Sequence, residues 1–373
     1  MRRRAIIATA NESWNLLNFR SGVLRALIDD GFDVIVAAPH DVHADQLCEM
    51  GCLVEPIPMD PAGLLPWTDI RSVIAYRRLI RRYRPAAILS WTIKANIYAA
   101  WAAHNKGVVS LPNVSGLGTA FMQPGPLRHL AERMYRSACK RAATVFFQND
   151  DDLAMFVERG LIQKDKAVVL PGSGIDTTIF APVSSERTAP GHFLMISRLI
   201  ADKGVREFVE AARRARQINP ALRFTIMGQM NVANRTAILP EELQSWVAEG
   251  VVEYRPPAPD VRQAISSADF IVLPSYREGM SRVLLEAAAM ARPSITCDVP
   301  GCRDIVQDGQ NGFLCAPRDA DSLMSAIMRA AITDDATWSA MGRRARAVVT
   351  QRFSEAVVVE AYREALRRSG VEL

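Results

Sequence analysis

Two glutamates stand eight positions apart in the stretch YREGMSRVLLEAAAM, Tyr276 to Met290. Glu278 lies in a polar loop with Gly279, Met280 and Ser281. Glu286 lies among Val283, Leu284, Ala287 and Ala288, which recur at helical spacing. Just upstream, ADFIVLP (Ala268 to Pro274) is a short apolar run of strand type, so the loop leaves the carboxyl end of a buried strand, where open α/β sheets bind ligands. The N–H groups of the first helical turn, near Met280 to Arg282, favour phosphate there. A hydrolase's acid and base must face each other across one bond, roughly 5–10 Å apart. Eight positions of helix rise about 12 Å, which suits two ends of an extended ligand better. An N-terminal Glu favoured by the helix dipole and a second Glu on a solvated face account for the same letters without a ligand.

Ser197-Arg198-Leu199 followed by Asp202-Lys203-Gly204 repeats this pattern some 80 positions upstream. Two cations beside a helix start near Gly204 make a site for a diphosphate. Taken with Glu278 and Glu286, the set fits a nucleoside-diphosphate-sugar. Cations and helix amides meet the phosphates, one carboxylate the ribose hydroxyls and one the sugar.

These motifs need strands and helices to carry them. In the first half, apolar strand runs (Ala5 to Thr9, Asp33 to Ala38, Leu53 to Ile57, Ala86 to Trp91, Val108 to Leu111) alternate with helices (Phe19 to Asp30, Val42 to Met50, Ile70 to Tyr83, Asn96 to Lys106). That alternation predicts βαβ units and a parallel sheet. The first turn, Ala10 to Asn18, contains no glycine, which disfavours an NAD-dependent dehydrogenase. Ser110 to Pro126 reads as a long loop with an exposed Phe121–Met122 pair, and Leu127 to Arg141 as a basic helix. Asn149 to Asp152 holds an Asp-x-Asp that a cation would accept, but a helix N-cap with first-turn acids explains it more simply. The second half starts afresh with strands at His192 to Ser197, Arg223 to Met227, Val251 to Tyr254 and Ser294 to Cys297, a helix at Val205 to Ile218, and helices from about Ala320 to Arg368. Two α/β halves of similar plan imply a cleft between them, a usual place for small ligands.

At 373 residues, with 49% hydrophobic and 23% charged residues, the chain suits two folded domains. The apolar run after Arg2 to Arg4 ends at Asn11, too soon for a signal peptide, and nothing approaches the ~20 apolar residues of a membrane span. A cytosolic protein is expected. Six cysteines lack CxxC spacing and histidine neighbours, so buried thiols are expected, and His40 and His43, which could be paired ligands, read better as loop histidines, with no metal expected. Between Arg71 and Arg141 thirteen Lys and Arg face one acid, Glu132, a local charge of +12 within a chain of +5. An anionic partner is the functional reading. The helix IRSVIAYRRLIRRYR (Ile70 to Arg84), with an apolar face of Val73, Tyr76, Ile80 and Tyr83, would suit a membrane surface, or a sheet with its arginines in water. Nucleic acid is a poor candidate, since no recognition motif or aromatic stacking set is present.

The SRL…DKG segment, the EGMSRVLLE segment and PGCRDIVQDGQNGFL (Pro300 to Leu314) together resemble the retaining glycosyltransferases of family 4, whose GT-B architecture has two facing Rossmann-like domains. SWNLLNFR (Ser13 to Arg20), WTIKANIY (Trp91 to Tyr98) and NVSGLGTAF (Asn113 to Phe121) resemble bacterial enzymes that extend undecaprenyl-diphosphate-linked glycans with N-acetylhexosamines. The resemblance implies an acceptor-binding domain at 1–175, a linker at 176–190, a donor domain at 191–352, and a C-terminal helix at 353–373 packing back on the first domain. It implies that Arg198 and Lys203 bind the donor diphosphate, Glu286 the ribose, and Glu278 with the backbone of Gly279, Met280 and Ser281 the sugar. The base would stack near Gly228, Val252, Tyr254 and Arg255. No cofactor or metal is implied; the nucleotide sugar, expected to be UDP-linked, is a substrate. Many relatives carry a histidine in the acceptor-side loop where Asn113 stands here, so Asn15, Asn18, Arg20, Lys94, Asn96 and Asn113 are the acceptor-side candidates. The implied partners are a lipid-linked glycan and, through the basic helices, the anionic inner face of the cytoplasmic membrane. A sugar-nucleotide epimerase and a non-catalytic sugar-nucleotide-binding subunit are the competing readings.

Overall fold

The fold is described from a computed structural model that covers residues 4–59, 66–116, 125–183, 187, 191–230, 232 and 234–373. The expected Phe121–Met122 pair lies outside these residues, as does part of the expected 176–190 linker. The chain forms two compact units, one of residues 1–174 with 355–373 and one of residues 175–354.

The first unit is built on seven parallel strands: β1 (Ala5–Thr9), β2 (Asp33–Ala38), β3 (Leu53–Pro56), β4 (Ala87–Trp91), β5 (Val109–Val114), β6 (Val145–Phe147) and β7 (Ala167–Val169), in the order β3-β2-β1-β4-β5-β6-β7. Strands buried on both faces read as continuous apolar runs, and β1 (AIIAT) and β4 (AILSW) are buried at every position. Helices Pro66–Tyr83, Ile93–Ala103 and Pro126–Arg141 pack side by side. Helices Ser13–Asp29 and Glu355–Arg368 pack on each other, and Leu16, Leu24, Val358 and Leu366 share a core with β1, β2 and β4. The final helix thus belongs to the first unit.

The second unit has six parallel strands, β8 (His192–Ile196), β9 (Arg223–Met227), β10 (Glu253–Arg255), β11 (Phe270–Leu273), β12 (Ser294–Cys297) and β13 (Gly312–Cys315), in the order β10-β9-β8-β11-β12-β13. The order reverses between β8 and β11, as it does between β1 and β4 in the first sheet. Each reversal opens a crevice at the carboxyl ends of the strands.

Several boundaries differ from the sequence reading. The first helix begins at Ser13, so Asn15 and Asn18 lie on a helix and not in a turn. The start is fixed from a distance: the Ser13 N–H donates to Asp41 Oδ2 at 2.9 Å, while Glu12 makes no side-chain cap. β5 runs through Pro112 to Val114, so Asn113 is a strand residue and the following loop starts later. Short strands β7 and β13 and helices Pro240–Ala248 and Arg262–Ser266 were not anticipated. The C-terminal helical region is three helices, Ala320–Ala331, Asp335–Arg352 and Glu355–Arg368. Among the described residues no helix is long and apolar enough to cross a membrane.

Candidate functional site

The switch point of the second sheet gathers most of the donor-side residues. The turn after β8 and the loop after β11 touch through Gly204, whose φ of +74° suits glycine and where a Cβ would lie 2.1 Å from the Pro274 carbonyl oxygen. The Tyr276 N–H donates to the Asp202 carbonyl at 2.9 Å, and Ser275 Oγ donates to the same oxygen at 3.3 Å. This contact brings Lys203 and Glu278 together as an ion pair, with side chains 18% and 13% exposed. Arg198 is exposed in the turn after β8.

Helix Arg282–Ala289 is capped by Ser281, whose Oγ accepts the Leu284 N–H at 3.5 Å. The helix therefore starts after Met280, and Glu278 belongs to the loop. A second hairpin of chain braces that loop: the Glu278 N–H donates to Pro300 O at 3.3 Å and the Ser281 N–H to Gly301 O at 3.1 Å. Gly301, at φ +74°, sits so close that a Cβ would be 2.6 Å from the carbonyl oxygens of both Glu278 and Gly279. The expectation that the Ser281 amide faces a ligand is corrected, because Gly301 occupies it. Glu286 is half-buried along the helix and accepts Arg282 Nε–H at 2.9 Å. Burial pushes its carboxyl above the ordinary range, against the pull of Arg282.

Gly228, Tyr254 and Arg255 also meet. The Gly228 N–H donates to Arg255 O at 3.2 Å, and Tyr254 Oη donates to Gly228 O at 3.0 Å. Gly228 is itself pressed on Ser197, with room for no Cβ. Val252 departs from its expected place: its side chain is in the hydrophobic core with Trp246 and Leu243, so it offers a base no surface.

The Glu207 and Arg318 supports of the loop after β11 carry no motif in the sequence. Tyr276 Oη bonds Glu207 at 2.6 Å while the Arg318 guanidinium lies over its ring at 4.7 Å. The glycine and proline of Pro300-Gly301 were the one available signal for the brace, since such pairs mark turns where backbones approach.

The acceptor-side candidates divide. Arg20, Asn96 and Asn113 are buried. Asn96 Nδ2 donates to Asn113 O at 2.7 Å, and Arg20 lies 5.3 Å from the Trp91 ring centre. Lys94 is held by Asp69 at 3.0 Å. Asn18 is exposed, its Nδ2 donating to Trp14 O, and Asn15 is half-buried. The expectation of Asn113 as a loop residue is corrected: it is enclosed in β5. Asn149 caps helix Asp150–Glu158 by accepting the Asp152 N–H at 2.8 Å, and no metal-ligand cluster occurs among the described residues. Five cysteines are buried and Cys48 is exposed, all as thiols.

Residues 20–172 match the Glycosyl transferase 4-like domain family, and residues 190–332 match Glycosyl transferases group 1. The N,N'-diacetylbacillosaminyl-diphospho-undecaprenol alpha-1,3-N-acetylgalactosaminyltransferase of Campylobacter jejuni is 24% identical over 330 residues, 84% of this chain and 85% of that one. The UDP-Gal:alpha-D-GlcNAc-diphosphoundecaprenol alpha-1,3-galactosyltransferase of Escherichia coli is 24% identical, covering 77% and 76% of the two chains. The Anabaena protein HepE, solved in complex with UDP, superposes with a TM-score of 0.78 at 19% identity, over 98% of this chain and all of that one. The fold is that of the GT-B proteins.

Proposed function

Because the chain belongs to the glycosyltransferases that join a 4-like domain to a group 1 domain, we propose that it is a retaining, metal-independent enzyme moving an N-acetylhexosamine from a UDP-linked donor to an undecaprenyl-diphosphate-linked glycan. The observation that carries this reading is the Lys203–Glu278 pair at the switch point of the second sheet, with the capped helix carrying Glu286 beside it. One cation, one sugar-facing carboxylate and one ribose-facing carboxylate stand on a single connected frame. The Campylobacter and Escherichia relatives, whose names specify diphospho-undecaprenol acceptors, support the acceptor class.

In this account Lys203 and Arg198 hold the donor diphosphate and offset the charge that grows on it as the glycosidic bond breaks. Glu286 accepts the ribose hydroxyls. Glu278, released from Lys203 as the diphosphate arrives, accepts hydroxyls of the sugar. Tyr254, Arg255 and Gly228 line the base. The bond from the anomeric carbon to the phosphate oxygen breaks while the acceptor oxygen bonds that carbon from the same face, and the acceptor's proton passes to the departing phosphate. No cofactor takes part.

The acceptor is membrane-borne in this reading, and the first unit has a surface to match. Arg71, Arg77, Arg78, Arg133 and Lys140 are exposed, with Ile70, Ile74, Leu127 and Leu130 exposed on the same two helices. Such a surface suits the anionic cytoplasmic leaflet.

The test is transfer from UDP-N-acetylglucosamine or UDP-N-acetylgalactosamine to a polyprenyl-diphosphate-linked glycan, with and without EDTA, and proton NMR of the product. An α-linked product formed equally in EDTA is expected. A β-linked or EDTA-sensitive product contradicts the mechanism.

A further inference from the structure

The carboxyl ends of β4 and β5 are hydrogen-bonded to a residue from the far end of the chain. Tyr362, on helix Glu355–Arg368, is 1% exposed, and its hydroxyl accepts both Trp91 Nε1–H and Asn113 Nδ2–H at 2.9 Å. Those donors are neighbours: Trp91 ends β4 and pairs in register with Asn113 of β5. The Asn113 carbonyl accepts Asn96 Nδ2–H, and Arg20 lies over Trp91. Arg20, Trp91, Asn96, Asn113 and Tyr362 are each 2% exposed or less, yet all are polar and come from five different elements. A phenyl ring would fill the same space against Phe146, 4.6 Å away, so packing alone does not call for the hydroxyl. A buried polar network of this kind fixes one arrangement because any broken link strands a buried donor.

What it fixes is a strained turn. Thr92 follows Trp91 at φ +76° and ψ 152°, a region hostile to a β-branched residue and held only where the surroundings over-determine it. The Asn11 N–H on Thr92 Oγ1, at 3.2 Å, and the Asn96 N–H on Thr92 O, at 2.9 Å, are two anchors. The Tyr362 bond to Trp91 is a third. Lys94 and Asn96 follow within the next turn of chain.

We propose that Tyr362 is a positioning residue for the acceptor side, acting through Trp91 and Asn113 to hold the carboxyl ends of β4 and β5 and the Thr92 to Asn96 turn. The role in turnover rests on the reading of the first unit as the acceptor-binding half; the positioning itself does not. The final helix is then part of the acceptor machinery, although its sequence carries no motif.

The experiment compares Tyr362→Phe with Leu366→Val, a change in the same helix and core that leaves the hydroxyl intact. In Tyr362→Phe, hydrogen exchange at residues 92–96 and 113–115 should rise by about 30-fold, the factor for the two buried hydrogen bonds that the hydroxyl accepts, with residues 192–300 unchanged. KM for the lipid-linked acceptor should rise several-fold while the affinity for UDP stays constant. Leu366→Val, compared at matched loss of melting temperature, should leave acceptor KM within twofold. Equal acceptor KM changes in the two variants, or unchanged exchange at 92–96, would overturn the assignment. If wild-type protein transfers sugar to no lipid-linked acceptor, the functional reading fails, and the exchange data alone decide whether Tyr362 positions this edge.

Discussion

Lys203 and Glu278 form an ion pair although they lie 75 positions apart, on loops leaving β8 and β11. Neither side chain is well hydrated, and the pair sits where the strand order reverses. A cation and a carboxylate paired at a ligand crevice are poised for exchange: a diphosphate competes for the lysine and frees the glutamate for hydroxyl groups. That exchange is the core of the proposed donor site.

Lys203→Ala is expected to lower kcat by ~10²-fold or more, the scale of losing one oriented charge-stabilising group. The variant also leaves Glu278 unpaired, so Lys203→Met with Glu278→Gln serves as the folded control. Steady-state kinetics on both, with melting curves alongside, check the prediction; wild-type turnover in Lys203→Ala would remove the assignment.

Glu286 makes a prediction with a definite sign. Its carboxyl is held above the ordinary range by burial, so between the normal glutamate pKa and that raised value the folded chain keeps a proton the unfolded chain has lost. Stability from this group is therefore present at low pH and lost as pH rises through that window. Glu286→Gln should melt higher than wild type at neutral pH and converge with it near about pH 4, while its affinity for UDP falls. A variant that melts lower at neutral pH would show that the charged form is favoured by the fold.

The brace from Pro300-Gly301 should be sensitive to a single methyl group. Gly301→Ala puts a Cβ against two carbonyl oxygens at a positive φ, so it should destabilise by about 1 kcal/mol or more. The displaced loop carries Glu278 and Ser281, so kcat should fall as well. Urea denaturation with parallel assays measures both; full activity in a destabilised Gly301→Ala would mean that the brace does not position the loop.

Much of this was legible in the letters, and the illegible parts share a cause. Strands such as β1 and β11 are read directly because both faces are buried and nothing interrupts the apolar run. The Lys203 and Glu278 motifs stand out because each is a charged group in a short loop next to such a run. The start of the first helix was missed because Asp41, not a local cap, holds the Ser13 amide. Asn113 reads as loop because Pro112 donates no ladder hydrogen bond, yet β5 continues past it. Tyr362 could not be found at all: its partners are 249 and 271 positions away. Local pattern reports local causes, and the acceptor side is assembled from distant ones.

For the membrane, sedimentation with vesicles should show binding that rises with anionic lipid and falls with salt. Replacing exposed Arg77 and Arg78 by Glu should weaken it by at least about 30-fold, at about 1 kcal/mol for each cation lost. Equal binding to neutral vesicles would argue against an electrostatic surface.

The most direct test of the donor site is a thermal-shift series on wild-type and Lys203→Ala protein with UDP, UDP-N-acetylglucosamine, UDP-N-acetylgalactosamine, GDP and GDP-mannose, since a ligand that binds only the folded state raises the melting temperature. The melting temperature should rise with the UDP compounds, stay unchanged with the GDP compounds, and rise far less in Lys203→Ala. No shift with any nucleotide, or an undiminished shift in Lys203→Ala, would contradict the proposed donor site.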